Sequence, residues 1–433
     1  MKKVCLTVIG LFLLLLSTFS QSVKKDSVSN SPINENSTYS SKPLKLDEIN
    51  IVSSYYGQQG NHSAVTGGVG TEAVTDLSNG LELKFAGTDL EGKKYTFNMS
   101  MGIDHHSSAS SAYVSKTGAS KTGGTRVYPS INYSVENKKG TTFGMGVYYS
   151  TEYNYHSFAL DANYSHKIGS GGEISTKVSS YFDQVKLIYP SELIPAPVVI
   201  NNGPAVVNVV TTASGRRSTT SSGGGGSYEV SAGEIPTSPR NTHTASLVYS
   251  QIINKNLQAS VLVDWVAQNG YLSLPFHRVY FADSSDHVEK LPSQRYKLPI
   301  GFRLNYFMGD NIIIRSYYRY FTDDWGIKAQ TASLEIPVKL TPFFSVSPFF
   351  RSYTQTAAKY FQPCQGHTTK DTYYTSNYAY SAFSSQYYGV GVHISPPGGI
   401  WNSNLSSLDI RYGHYSQSTD LTSNIISFAF QFK

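Results

Sequence analysis

Five arginines in the C-terminal half carry the chemistry to consider first: Arg303, Arg315, Arg319, Arg351 and Arg411. Each sits in a stretch where apolar and polar residues alternate. Period-two alternation sends successive side chains to opposite faces of a strand. Leu298, Ile300, Phe302, Leu304 and Tyr306 therefore share one face, and Arg303 falls on the other. The same reasoning puts Glu82, Lys84, Asp161, Asp264, Glu335, Lys339 and Asp409 on the arginine side. A guanidinium stays charged at any working pH. A strip of them along a wet passage would favour small anionic solutes. The alternative is that they pair with Glu335 and Asp409 in a network that only stabilises the wall. The sequence leaves both open.

A second constellation is the run Gly67-Gly68-Val69-Gly70-Thr71-Glu72. Its glycines permit positive φ and close backbone approach. It reads either as a constriction folded into a mouth or as a tight loop between two strands. Other groups carry less. Gly223 to Gly226 lacks the GK[ST] of a phosphate loop. His105 and His106 have no further ligands close in sequence, so no metal site is expected. No motif selects a Ser–His pair for catalysis, and no enzyme is expected. After a leader is removed, Cys364 is the sole cysteine, which excludes a disulfide scaffold, a haem CxxCH and a zinc knuckle. No cofactor is expected.

The elements that would position these residues are strands. Sixteen candidates run through 46–56, 73–87, 94–104, 126–135, 141–151, 156–166, 173–188, 242–252, 257–268, 295–307, 312–322, 329–340, 344–353, 386–395, 405–415 and 424–433. Most suit the roughly 9–11 residues a tilted strand needs to cross a bilayer. In the last, Ile426, Phe428, Phe430 and Phe432 alternate with Ser427, Ala429 and Gln431, as a closing strand between lipid and water would. Links after even-numbered strands are short and rich in turn residues. Long links follow odd-numbered strands only: 57–72, 105–125, 189–241, 269–294 and 354–385. Short periplasmic turns and longer outer loops are the pattern of outer-membrane barrels. The expected fold is therefore all-β, a transmembrane antiparallel barrel of about sixteen strands with both termini in the periplasm. That parity depends on 46–56 being a strand and not a plug.

Composition agrees. Only 15% of residues are charged, against about 25% in an average soluble domain. Tyrosine (33) and phenylalanine (21) are abundant, yet no long apolar run follows the leader. Lys2 and Lys3 precede an apolar Val4 to Leu16, with small Thr18 and Ser20 behind it, the layout of an export signal over 1–20. Residues 21–44 read as a disordered periplasmic tether and 45–433 as the barrel. Losing the two leader lysines lowers the formal charge from +6 to +4, too mild and dispersed for nucleic acid.

The run Tyr55-Tyr56-Gly57-Gln58-Gln59-Gly60-Asn61-His62-Ser63-Ala64-Val65-Thr66, continuing through Gly67 to Glu72, resembles a family of uncharacterised outer-membrane barrels of Bacteroidota-type Gram-negative bacteria. Asp104 with Ser107 to Ser110 is similar to that family's acidic–serine segment, although His105 and His106 depart from it. The resemblance implies an outer-membrane barrel and no activity. The expected function is porin-like passage of a small polar, anionic solute. The rivals are a structural or assembly barrel partnering a periplasmic complex, and a lipid-acting barrel enzyme. Outer-membrane lipid is the partner common to all three, and the oligomeric state is left open.

Overall fold

The structure, a computed structural model, describes residues 41–107, 124–152, 154–190, 193, 207–211, 217–221 and 236–433. The segment read as an export signal, the part of the expected tether up to Ser40, Ser108 to Ser110 and Gly223 to Gly226 lie outside the described residues. The first strand already begins at Lys42, within the segment read as tether.

Sixteen staves form the wall among the described residues. They are β1 Lys42–Gln59, β2 Val74–Thr88, β3 Lys94–His106, β4 Gly124–Glu136, β5 Thr141–Thr151, β6 Tyr155–Ile168, β7 Gly172–Lys186, β8 Thr237–Asn254, β9 Leu257–Gly270, β10 Gln294–Met308, β11 Ile312–Asp323, β12 Lys328–Glu335 continued by Val338–Thr341, β13 Phe344–Gln355, β14 Phe383–Ile394, β15 Leu405–Gln417 and β16 Leu421–Phe432. The break in β12 falls at Ile336–Pro337, where proline has no N–H to give the ladder. Ile336 N donates to Pro348 O at 3.0 Å and Ile313 N to Pro337 O at 3.0 Å, so the stave stays attached on both sides.

Each stave pairs antiparallel with the next, and β1 pairs with β16. The segment 46–56 is thus a wall strand and not a plug. Phe432, Phe430 and Phe428 lie opposite Ile49, Ile51 and Ser53. Closure leaves the wall without a free edge, which a barrel in hydrocarbon requires, because an unpaired backbone group there costs several kcal/mol.

Which face is outside follows from contacts that skip strands. Arg411 on β15 reaches Glu335 on β12 at 3.2 Å, and its guanidinium lies 3.9 Å from the ring centre of Phe349 on β13. Residues of non-neighbouring staves touch only across the concave side. That face is therefore the interior, and the apolar set faces out. Met99, Met145, Val178, Leu247, Trp265, Phe302, Phe350 and Tyr388 are all exposed on the outer face. An apolar outside and a charged inside suit a lipid surround, and barrels of this kind occupy the Gram-negative outer membrane.

Loop parity matches the expectation. Even staves are followed by short turns such as 137–140 and 309–311, the longest being 395–404. Odd staves are followed by 60–73, 271–293 and 356–382, and by the largely undescribed 107–123 and 187–236. Full burial is concentrated in the loops at this odd end. Val65, Phe276, Val279, Phe281, Leu291 and Trp325 are buried there.

Candidate functional site: a charged lumen beneath a loop-built mouth

On the inner wall the five arginines do not behave alike. Arg315 and Arg411 share one carboxylate: Glu335 accepts from Arg315 at 3.4 Å and from Arg411 at 3.2 Å. Arg303 lies over the Tyr317 ring at 5.7 Å, and Arg351 over Tyr387 at 5.0 Å. Stacking occupies the face of a guanidinium and leaves its N–H edge available. Arg303, Arg315, Arg351 and Arg411 line one lumenal cavity of about 530 Å³, with Glu335 the sole carboxylate among its lining residues. A second cavity of about 480 Å³ adds Lys339, His393 and Asp409.

Arg319 stands apart. It lines neither cavity, and its Nε is buried without a hydrogen-bond partner. Asp409 pairs with His393 at 2.8 Å and not with an arginine. The cause is register: Asp409 faces His393 directly across β14–β15, whereas Arg411 faces Gly391, which offers no side chain. Arg411 is thereby free to reach across to β12.

The glycine run is docked, not loose. Gly67 and Gly68 have φ of 76° and 82°. A Cβ at Gly68 would lie 2.6 Å from the Ser376 carbonyl, and one at Gly67 would meet the Tyr280 ring. Val65, in the short turn Ala64–Thr66 just before them, packs on Phe276. Glu72 accepts from the His62 amide at 3.2 Å, and Gln58 donates to the Glu72 carbonyl at 2.9 Å. Burial pushes the Glu72 carboxyl above its ordinary value, against the lowering effect of the His62 contacts.

Two other outer loops complete this assembly. Arg278 Nη1 donates to Val65 O at 2.9 Å, and the His62 ring stacks on Tyr378 at 3.8 Å. Thr375 donates to buried Glu289 at 2.6 Å, joining 356–382 to 271–293. Inner-face residues hold the assembly from below. Arg295 lies over the rings of Trp325 and Tyr380, at 4.4 and 5.5 Å. Gln355 donates to the carbonyls of Ala379 and Ser381 at 3.0 and 2.6 Å. Burial pushes the Tyr380 hydroxyl up to about 12. By sequence 269–294 and 354–385 are only long links after odd-numbered strands. Their density of Phe and Tyr was the available signal, since solvated loops have no use for so many rings.

In the loop after β9, Ser285 contacts the His287 ring at 3.1 Å and donates to Asp283 at 2.6 Å. His243 contacts Ser180 at 3.0 Å, but on the outward face, and no carboxylate orients the ring. His106 pairs with Glu152 at 3.2 Å on the inner wall, while His105 contacts Thr125 at 2.9 Å. No group of three or more His, Cys, Asp or Glu among the described residues is arranged to hold a metal ion.

Among solved structures, the chain is similar to OpdQ of Pseudomonas aeruginosa at 8% identity, covering 89% of this chain and 97% of that one, with a TM-score of 0.39. OprD of Pseudomonas aeruginosa is similar at 7% identity, covering 92% and 99%, with a TM-score of 0.40. CdiB from Acinetobacter baumannii is similar at 8% identity, covering 89% and 60%, with a TM-score of 0.40. No curated protein sequence matches. The family match begins at residue 105, so the Tyr55 to Glu72 run lies before it, while every lumenal arginine lies within it. Over residues 105–424 the sequence matches the family described as protein of unknown function, DUF3570, and the chain belongs to that family.

Proposed function

We propose that the protein is a porin-like facilitator for small polar solutes, with a preference for anions. One observation carries the reading: four arginines face a single lumenal cavity in which Glu335 is the one carboxylate. Formal charges there sum to +3, and Arg303 and Arg351 rest on the aromatic rings of Tyr317 and Tyr387. Guanidinium edges offer paired N–H donors suited to carboxylate or phosphate oxygens. No bond is made or broken in this reading: the solute exchanges part of its hydration for N–H donors and leaves the other end unchanged. The export signal over 1–20 and the tether belong to the same proposal, since they deliver the barrel to its membrane.

The test is reversal potential in planar bilayers. The wild-type protein should pass anions over cations, less so in high salt, where the Debye length falls to about 3 Å at 1 M. Replacing Arg303 and Arg351, which line the cavity, with Gln should weaken the preference without loss of folding. Conductance with unchanged preference in that variant would overturn the charge reading.

A second reading, a barrel that docks a periplasmic partner, has one observation behind it. Trp401 in the 395–404 turn is 89% exposed and holds φ of 54°, with Asn402 next to it at 55°. Positive φ is uncommon for a bulky residue and persists where surroundings or function require it.

A further inference from the structure

The ring order places β1 and β9 eight staves apart by either route round the barrel, so they stand on opposite sides of the mouth. A sixteen-stave barrel with the usual strand spacing and tilt is on the order of 30 Å across. Yet the loop after β1 and the loop after β9 are in contact: Arg278 donates to Val65 O at 2.9 Å, and Val65 packs on Phe276. Loops rooted on opposite walls meet only by spanning the opening between them. The length suffices. Fourteen residues separate Gln59 from Val74, about seven out and seven back, enough to reach roughly 23 Å when extended.

The third loop is rooted on β13, four staves from β9 and four from β1, on the arginine side. It meets the span where the Gly68 backbone presses on Ser376 and His62 stacks on Tyr378. The mouth is thus crossed by a bar, and 356–382 is docked on it from the β13 side. The contacts are ones that hold a fixed shape. Arg278 is 1% exposed and Val65 2%, and two glycines sit at positive φ with no room for a side chain.

We propose that this transverse bar is the size filter, and that Val65, Gly67, Gly68 and Arg278 determine how large a solute is admitted, while the arginine wall sets its charge. The proposal rests on the passage reading above and assigns size and charge to different parts of the molecule.

Liposome swelling with uncharged sugars, from pentose to tetrasaccharide, reads size alone. Two variants are compared with the wild type: one with 61–71 replaced by a short Gly-Ser link, and Gly68→Val, which drives a side chain into the Ser376 carbonyl and undocks the loop while leaving every wall strand intact. Heat-modifiable migration confirms that both are folded. The expected result is severalfold faster entry of the larger sugars in both variants, with the sign of ion preference unchanged in parallel bilayer recordings. A wild type closed to all sugars that opens on replacement of 61–71 supports the same conclusion. An unchanged size limit in both folded variants, with ion preference intact, overturns the filter and leaves the charge reading standing. A size limit that moves while no ion preference exists in any form overturns the charge reading alone. No sugar entry in wild type or either variant overturns both.

Discussion

Arg411 and Glu335 are joined at 3.2 Å although two staves of the barrel wall, β13 and β14, lie between their strands. The pair spans a chord of the lumen, and Arg315 holds the other oxygen of the same carboxylate at 3.4 Å. A single anion therefore restrains two cations that would otherwise both face the solute.

Removing that anion should sharpen selectivity. In Glu335→Gln, two guanidinium groups lose their counter-charge while the wall keeps its shape. The side chains of Arg315 and Arg411 are 51% and 40% exposed, so each pair contributes within about 0–1 kcal/mol and the barrel should stay folded. Reversal potentials should shift further toward anions. An unchanged reversal potential would place Glu335 outside the solute's path.

Deleting 424–433 should abolish assembly. The segment supplies Phe428, Phe430 and Phe432 to the lipid face and pairs with both β1 and β15. Its loss opens two edges in hydrocarbon, at several kcal/mol per unpaired backbone group, far beyond the stability of the remaining wall. Heat-modifiable migration on gels should disappear, and its persistence would show that another strand closes the barrel.

The 60–73 loop should be most firmly held in mild acid. Burial raises the Glu72 carboxyl above its ordinary value of 4.5. A folded value above the unfolded one means that its contribution is fully present below about 4.5 and is lost as pH rises through the folded value. Hydrogen-exchange protection of the His62 amide, which donates to Glu72 at 3.2 Å, should fall across that window once corrected for intrinsic exchange. In Glu72→Gln, which keeps an accepting oxygen, the profile should be flat. An equally steep profile in the variant would assign the effect to another group.

Orientation follows from loop parity and is open to labelling. An epitope inserted in the link between β7 and β8, within 189–241, should be reached on intact cells. One in the turn 137–140 should be reached only after permeabilisation. Equal labelling of both sites would reverse the assignment of the two ends.

Much of this molecule is local in origin, and the local part was legible in the chain. Period-two alternation decides the face of a side chain from its immediate neighbours alone. Arg303 between Phe302 and Leu304 had to face inward once the apolar set faced lipid, and Phe428 had to face out. Turn residues and link lengths likewise separated the two ends of the barrel. What alternation does not carry is which distant groups meet. Charge alone allows Asp409 to pair with the arginines, but register sets it against His393 and sets Arg411 against Gly391, freeing that guanidinium to cross to Glu335. The glycine run announced a close approach without naming what approaches. Only closure of the ring puts β1 opposite β9, and only then can Arg278 and Val65, 213 residues apart in sequence, meet over the opening. Strand identity and facing are settled within a few residues, whereas the shape of the mouth depends on the circumference of the whole sheet.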